Sequence, residues 1–540
     1  MAATMQRGGG SASGKGRMWL AMGLAALVAI SSGQAAAQDR QADAKAAPQS
    51  PPAIEVTGGE IRGARSPNND RIYVFKGIPY AADTGGKNRF HAPRPVQPWS
   101  GVRDATHLGN RCPAPEFPPP PFMQEEGQDL DTSPMSEDCL YLNVWTPGLD
   151  GAKRPVMVWF HGGGFTSGSG GSFRYDGTNL AAYQNVVLVT TNHRLNIFGY
   201  LNLAGLGNDD YADAANVGVL DMVQSLQWVR DNIAKFGGDP DNVTIFGQSG
   251  GGAKVTTLMA VPAAHGLFEK VIAESGLESG PGAPPPDPHS ALAKLGVSAD
   301  HLEQLADLST AEVMKAMGSG RWGPWADGKI IPVAPFNGQA PAVSADVPLM
   351  TGWTLTETTF FSGPVEPLDD AALHARVQQL ASGDAAAADR MIAEYKSIYP
   401  EAPNNRLYLS MAADRMMGRR AIDVAGQKAA QGGAPVYVYH FVGKTEVRNL
   451  MSPHTIDIAY AFDNLPLSTR TNGAVTAGKQ ALADLVSTAW ANFARTGVPS
   501  APGLPAWKPY ASERPALMVL GPAPHMIGGS QGVLKVLAKH

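Results

Sequence analysis

Apolar residues along this chain repeat with two periods. Short runs rich in β-branched and aromatic residues occur at 140–145, 156–160, 186–191 and 243–246, each closed by turn residues, and they read as strands. Between the last two, residues 215–236 carry Val219, Met222, Val223, Leu226, Val229 and Ile233 on one side, a helical spacing. Strands alternating with helices predict βαβ units and a mainly parallel sheet, the α/β class. Upstream, residues 57–99 read as short strands with turn signals, including Thr57-Gly58-Gly59-Glu60-Ile61-Arg62-Gly63 and Val74-Phe75-Lys76-Gly77-Ile78-Pro79-Tyr80-Ala81. Downstream, an apolar run at 347–350 and the alternating run at 436–441 predict further strands. Helices are expected at 301–317 and at 482–497, the latter with Trp490 and Phe493 on its packing face. The proline-rich stretch 280–290 (Pro281, Pro284, Pro285, Pro286, Pro288) reads as a loop opening an inserted segment, 280–345, of the kind that caps a pocket. Trp322 and Trp325 within it either line an acyl or aromatic site or pack into the core.

The N-terminus follows a different pattern. Arg7, Lys15 and Arg17 precede a mostly apolar stretch of 13 residues, Met18 to Ile30, and Ala35-Ala36-Ala37 offers an Ala-x-Ala cleavage site. This is the pattern of a secretory signal peptide over 1–37, and its apolar stretch is shorter than the roughly 20 residues a membrane span needs. The expectation is export to the periplasm or the medium, with no membrane anchor. Residues 38–53, rich in Ala, Gln and Pro, read as a disordered leader, and 54–540 as a single domain. Cleavage removes three basic and no acidic residues, taking the formal charge from -5 to -8. A mildly acidic chain carries no electrostatic footprint for nucleic acid.

Two cysteines, Cys112 and Cys139, flank the run Phe117-Pro118-Pro119-Pro120-Pro121-Phe122. In an exported chain they form a disulfide or remain as two buried thiols. Without clustered His or Asp partners they do not make a zinc site. Neither a metal nor a cofactor is expected.

Candidate chemistry centres on Val243-Thr244-Ile245-Phe246-Gly247-Gln248-Ser249-Gly250-Gly251-Gly252-Ala253. A strand-like run ends in glycines on both sides of one serine. Gly-x-Ser-x-Gly suits a nucleophile elbow, in which a serine at a strained backbone angle needs neighbours without a Cβ so that strand and helix can pass close together. Ser249 is the candidate nucleophile. A second element, Phe160-His161-Gly162-Gly163-Gly164-Phe165, follows the strand at 156–160, and a triple glycine after a sheet strand leaves backbone N–H groups free to converge on one point, as an oxyanion hole requires.

Together with Ser136-Glu137-Asp138-Cys139-Leu140-Tyr141-Leu142-Asn143-Val144-Trp145, Asn192-His193-Arg194-Leu195 and Asn232-Ile233-Ala234-Lys235-Phe236-Gly237-Gly238-Asp239-Pro240, these elements resemble the type B carboxylesterases, which include cholinesterases and para-nitrobenzyl esterases. The resemblance spans nearly the whole mature chain. It implies an α/β-hydrolase fold, ester hydrolysis, and a disulfide between Cys112 and Cys139. It also implies the partners of Ser249. Glu357, in Thr351-Gly352-Trp353-Thr354-Leu355-Thr356-Glu357-Thr358, resembles the family's acid, although Thr356 and Thr358 replace the usual Asp and Gly. His454, in Ser452-Pro453-His454-Thr455-Ile456-Asp457, resembles its histidine. Among the 12 histidines, His440 reads as a strand residue and His161 as a shaper of the glycine loop.

The mechanism expected is a Ser249, His454, Glu357 acyl transfer with oxyanion donors from Gly163, Gly164 and Gly250. An imidazole titrates near neutrality, so it can take the serine proton and return it to the leaving alcohol. The expected partner is a small-molecule ester. Gln248 and Gly250 stand where many members have Glu and Ala, and the missing negative charge disfavours cationic substrates. A non-catalytic binding protein on the same fold, and amide, carbamate or thioester cleavage, are the alternatives.

Overall fold

The computed structural model describes residues 51–115, 131–280, 287–318 and 322–537. The predicted signal peptide, most of the leader, the run Phe117 to Phe122 and Pro281 to Pro286 lie outside these residues.

Fourteen strands form two sheets among the described residues. A small sheet pairs β1 (Ile54–Val56), β2 (Gly59–Arg62) and β5 (Val102–Asp104). The large sheet contains β3 (Ala64–Ser66), β4 (Asn69–Pro79), β6 (Tyr141–Thr146), β7 (Arg154–Phe160), β8 (Val187–Thr191), β9 (Gly238–Gln248), β10 (Lys270–Glu274), β11 (Leu349–Thr354), β12 (Val436–Phe441), β13 (Ala516–Leu520) and β14 (His525–Gly528). Its spatial order is β14-β13-β12-β11-β10-β9-β7-β8-β6-β4-β3. Seven neighbours from β8 to β13 run parallel, and antiparallel strands close both edges.

The central strands read as apolar runs because both faces of the sheet are covered. On β7, Val156, Val158 and Phe160 enter one core with the helix Val217–Asn232, while Met157 and Trp159 enter the other, a period of two set by the pleat. The helix Ala477–Thr496 covers that second face with Val486, Trp490 and Phe493 fully buried. Burying a side chain the size of Phe493 contributes about 1.5–3 kcal/mol.

The expected helical patch at 301–317 is two pieces, a 3-10 segment Ala299–Ala306 and a helix Thr310–Met317. Ser309 separates them by capping the second: its hydroxyl accepts from the Glu312 N–H and the Glu312 carboxylate accepts from the Ser309 N–H, a capping box. Three further helices, Asp370–Leu380, Ala385–Ile398 and Asn404–Ala413, enclose a small core of their own around Leu373, Val377, Tyr395 and Leu407. No helix among the described residues is long and apolar enough to cross a membrane.

Candidate active site

Parallel strands place their C-terminal ends along one edge of the sheet, and the sequence-predicted residues all follow such ends. The His161 loop leaves β7, Ser249 leaves β9, Glu357 follows β11, and His454 lies in the segment after β12. Residues as far apart in the chain as Glu357 and His454, 97 positions, therefore share one rim.

Ser249 has φ 58° and ψ -122°, a conformation that L-residues rarely adopt. Its N–H donates to Glu274 O at 2.8 Å, which ties the turn to the end of β10. The flanking glycines are required by close approach. A Cβ on Gly247 would lie 2.5 Å from both Phe160 O and the Gly251 carbonyl carbon, and one on Gly251 would lie 2.0 Å from Phe160 O. Strand β7, strand β9 and the helix Gly250–Leu258 meet there with no room for a methyl group. The three predicted oxyanion glycines are also brought together. Gly163 and Gly164 have φ 86° and 62°, and a Cβ on Gly250 would lie 2.3 Å from Gly164 N.

Glu357 is fully buried. Its Oε1 accepts from Ser275 Oγ and from the Thr354 N–H, each at 2.7 Å, and its Oε2 accepts from His454 Nδ1. Because a carboxylate oxygen only accepts, Nδ1 carries the proton of that bond, and the neutral ring keeps its lone pair on Nε2. Nε2 is buried and has no hydrogen-bond partner among the described residues, so the bond to Ser249 Oγ is not formed in this structure. Such contacts often tighten only in the substrate complex. The two segments nevertheless touch, since Gln248 Nε2 donates to the His454 carbonyl. The ring of Phe361, about half exposed, lies 5.0 Å from the imidazole.

Sequence reasoning missed two residues of this network. Ser275 follows β10 and carries no motif beyond a Ser-Gly pair at a strand end. Thr356 departs from the family pattern, yet it laces the acid loop to the histidine loop: its hydroxyl accepts from the Ser452 N–H at 2.8 Å and donates to Leu450 O at 3.1 Å. Beneath them lie two buried acids. Asp457 accepts from Tyr439 Oη at 3.2 Å, and Glu274 accepts from Trp490 Nε1 at 2.7 Å. Burial raises the pKa of both, and the charge of Glu357 adds to the rise at Asp457 as that of Asp457 does at Glu274.

Other candidates fall elsewhere. His440 is a buried strand residue stacked 4.8 Å from Trp353, its pKa lowered by burial to about 3. His161 bonds its own loop through Nδ1 to Gly162 O at 2.8 Å. Trp322 packs into the core, and Trp325 is held through its backbone by Asn216. Cys112 and Cys139 form a disulfide with a Cα–Cα distance of 5.0 Å. Two small cavities, one beside Thr257 and Ile331 and one beside Leu258 and Phe268, are lined by none of Ser249, Glu357 or His454.

Residues 50–531 match the carboxylesterase family. The para-nitrobenzyl esterase of Bacillus subtilis (strain 168) is 33% identical over 477 residues, covering 86% of this chain and 93% of its own. A Geobacillus stearothermophilus carboxylesterase crystallised at pH 6.2 superposes with a TM-score of 0.73 at 34% identity, covering 90% of this chain and all of that one. An esterase from Clostridium hathewayi that can hydrolyse aliphatic aromatic polyesters superposes at 0.77 with 31% identity, covering 90% and 97%. With residues 50–531 matched by the family and relatives 33% and 34% identical over nearly their whole length, the chain belongs to the carboxylesterase family, carboxylic ester hydrolases of the α/β-hydrolase fold.

Proposed function

We propose that Ser249, His454 and Glu357 hydrolyse a small or medium-sized carboxylic ester through an acyl-enzyme. One observation carries this reading: the buried Glu357–His454 hydrogen bond is seated against the strained Ser249 turn, with Gln248 joining the two. His454 Nε2 takes the Ser249 proton as Oγ attacks the ester carbonyl and returns it to the departing alcohol. Water, activated by the same nitrogen, then releases the acid. Glu357 holds the ring and stabilises the imidazolium. The N–H groups of Gly163, Gly164 and Gly250 receive the oxyanion, each such donor contributing about 3 kcal/mol to the transition state. Phe361 offers an apolar face beside the base. The Gln248 amide, engaged with the His454 carbonyl, brings no negative charge to attract a cationic alcohol.

The test is hydrolysis of p-nitrophenyl esters from acetate to octanoate by the protein and by Ser249→Ala. Turnover that disappears in a folded Ser249→Ala variant is the expected result, and turnover that survives sinks the reading. Export belongs to the same proposal. The protein recovered from the periplasm or medium should begin near Gln38, which N-terminal sequencing checks.

A further inference from the structure

Lys254 lies on the helix Gly250–Leu258 that starts at the nucleophile, and it is fully buried. Its Nζ donates to His161 O at 2.8 Å and sits 5.8 Å from the centre of the Phe165 ring. These are the two ends of the run Gly162-Gly163-Gly164. Burial depresses the lysine's pKa well below its ordinary value, and no carboxylate among the described residues acts to restore it. The titratable groups that face it are His161 and His193, whose rings stack at 4.7 Å; burial first, and then Lys254, hold both pKa values low. Burying such a group without a counter-charge is costly, whereas a methionine would fill a similar volume without that penalty.

What the amine holds suggests what offsets the cost. Glycines have no side chains to anchor them, so the direction of the peptides at 162–164 depends on what fixes the loop's ends. The far side is fixed by the loop itself, since Gly163 O accepts from the N–H groups of Thr166 and Ser167 at 3.3 and 3.1 Å. The near side is fixed by the helix. Gly251 packs against Phe160 O, and one turn further Lys254 reaches His161 O.

We propose that Lys254 is a positioning residue for ester hydrolysis, holding the His161 carbonyl and the Phe165 ring so that Gly163 and Gly164 aim their N–H groups at the oxyanion beside Gly250. The inference rests on the role given above to those glycines. An oxyanion exists only in the transition state and the tetrahedral intermediates, so loss of aim lowers kcat and spares KM.

The experiment compares wild type with Lys254→Met, Lys254→Ala and Lys254→Arg on p-nitrophenyl butyrate, and measures inhibition by a trifluoromethyl ketone, whose hemiketal oxyanion uses the same donors. For folded Lys254→Met, kcat is expected to fall tenfold or more with KM within about twofold, and ketone affinity should fall in parallel. Lys254→Arg, which keeps a cationic donor, should recover part of both. Should the Met variant not fold, Lys254→Ala, which lacks the donor and cannot overpack, carries the same readings. A folded Met or Ala variant with kcat and ketone affinity within twofold of wild type overturns the proposal, as does a loss confined to KM. Fluorophosphonate labelling of wild type runs alongside. A wild-type Ser249 that resists labelling, with Ser249→Ala still active, overturns the site reading and this inference together. A labelled Ser249 with an unimpaired Lys254→Met overturns this inference alone.

Discussion

The turn at Ser249 and the loops carrying Glu357 and His454 meet at one rim but are held by different forces. The turn is fixed by shape: backbone atoms of β7 and of the helix Gly250–Leu258 press on Gly247 and Gly251, where any side chain would collide with a carbonyl. The acid and the base are fixed by side-chain hydrogen bonds from Ser275, Thr356 and Gln248. Their buried surroundings also titrate in opposite directions. Behind the glycine loop lie Lys254, His161 and His193, bases whose pKa burial lowers. Behind the acid and base lie Glu274, Asp457 and Asp414, acids whose pKa burial raises. A sterically fixed element is expected to fail by unfolding, and a hydrogen-bonded one by losing activity while folded.

The largest expected effect separates these two modes of failure. Glu357→Gln keeps an oxygen that accepts from Ser275 and the Thr354 N–H, so the fold should survive, but the carboxylate proposed to orient and stabilise the imidazolium is gone. By analogy with the corresponding change in a serine protease triad, kcat should fall about 10⁴-fold. Steady-state kinetics with a thermal melt of the same sample checks both parts. Gly251→Ala should do the reverse. Its new methyl meets Phe160 O at 2.0 Å, backbone that cannot rotate away, so a loss of about 3 kcal/mol or more is expected. A melt that leaves Gly251→Ala within a degree of wild type would break the comparison.

Ser275→Ala gives an intermediate effect. It removes one hydrogen bond to a buried carboxylate and leaves those from Thr354 and His454. A bond to a charged group is worth about 1.5–3 kcal/mol, and part of the loss should appear as a roughly tenfold drop in kcat at unchanged KM. A drop as large as that of Glu357→Gln would mean that Ser275 does more than orient the acid.

This division of forces also explains what the sequence revealed. Steric demands leave a mark on composition, because only glycine satisfies them, so Gly247 and Gly251 around Ser249 and the triple glycine after His161 are legible as chemistry in the sequence alone. The central strands were legible for a similar reason: two covered faces require unbroken apolar runs. Hydrogen-bonded support leaves no such mark. Ser275 and Thr356 are ordinary polar residues whose partners lie 82 and 94 positions away, and no local pattern announces them. Glu357 and His454 were found through resemblance to a family, not through periodicity. Motif residues outside the site prove structural: Glu137 pairs with Arg89 at 2.7 Å and Arg194 with Asp221 at 2.7 Å, both buried. The helices between 370 and 413 went unread because their apolar residues serve a small separate core, with few positions per turn to set a period.

The last effect isolates the buried acids. Asp414 accepts from Trp353 Nε1 at 2.7 Å and from Tyr395 Oη at 2.6 Å, and burial, helped by the charge of Glu357, pushes its pKa from 3.8 to about 7. Between those values the native state holds a proton that the unfolded chain has released, so this group's contribution to stability is complete below about pH 4 and is lost as the pH rises through 7. Wild-type stability alone does not report it. The pKa of His161 and His193 is depressed, so their contribution runs the other way, present above an ordinary histidine's pKa and lost in acid. Asp414→Asn removes only the acid's share and keeps an oxygen for Trp353. The difference in melting temperature, variant minus wild type, should therefore rise from pH 5 to pH 8, reflecting about 3 kcal/mol. A difference that stays flat would show that Asp414 is ionised in the folded protein, and that the acids behind Glu357 and His454 do not mirror the bases behind the glycine loop.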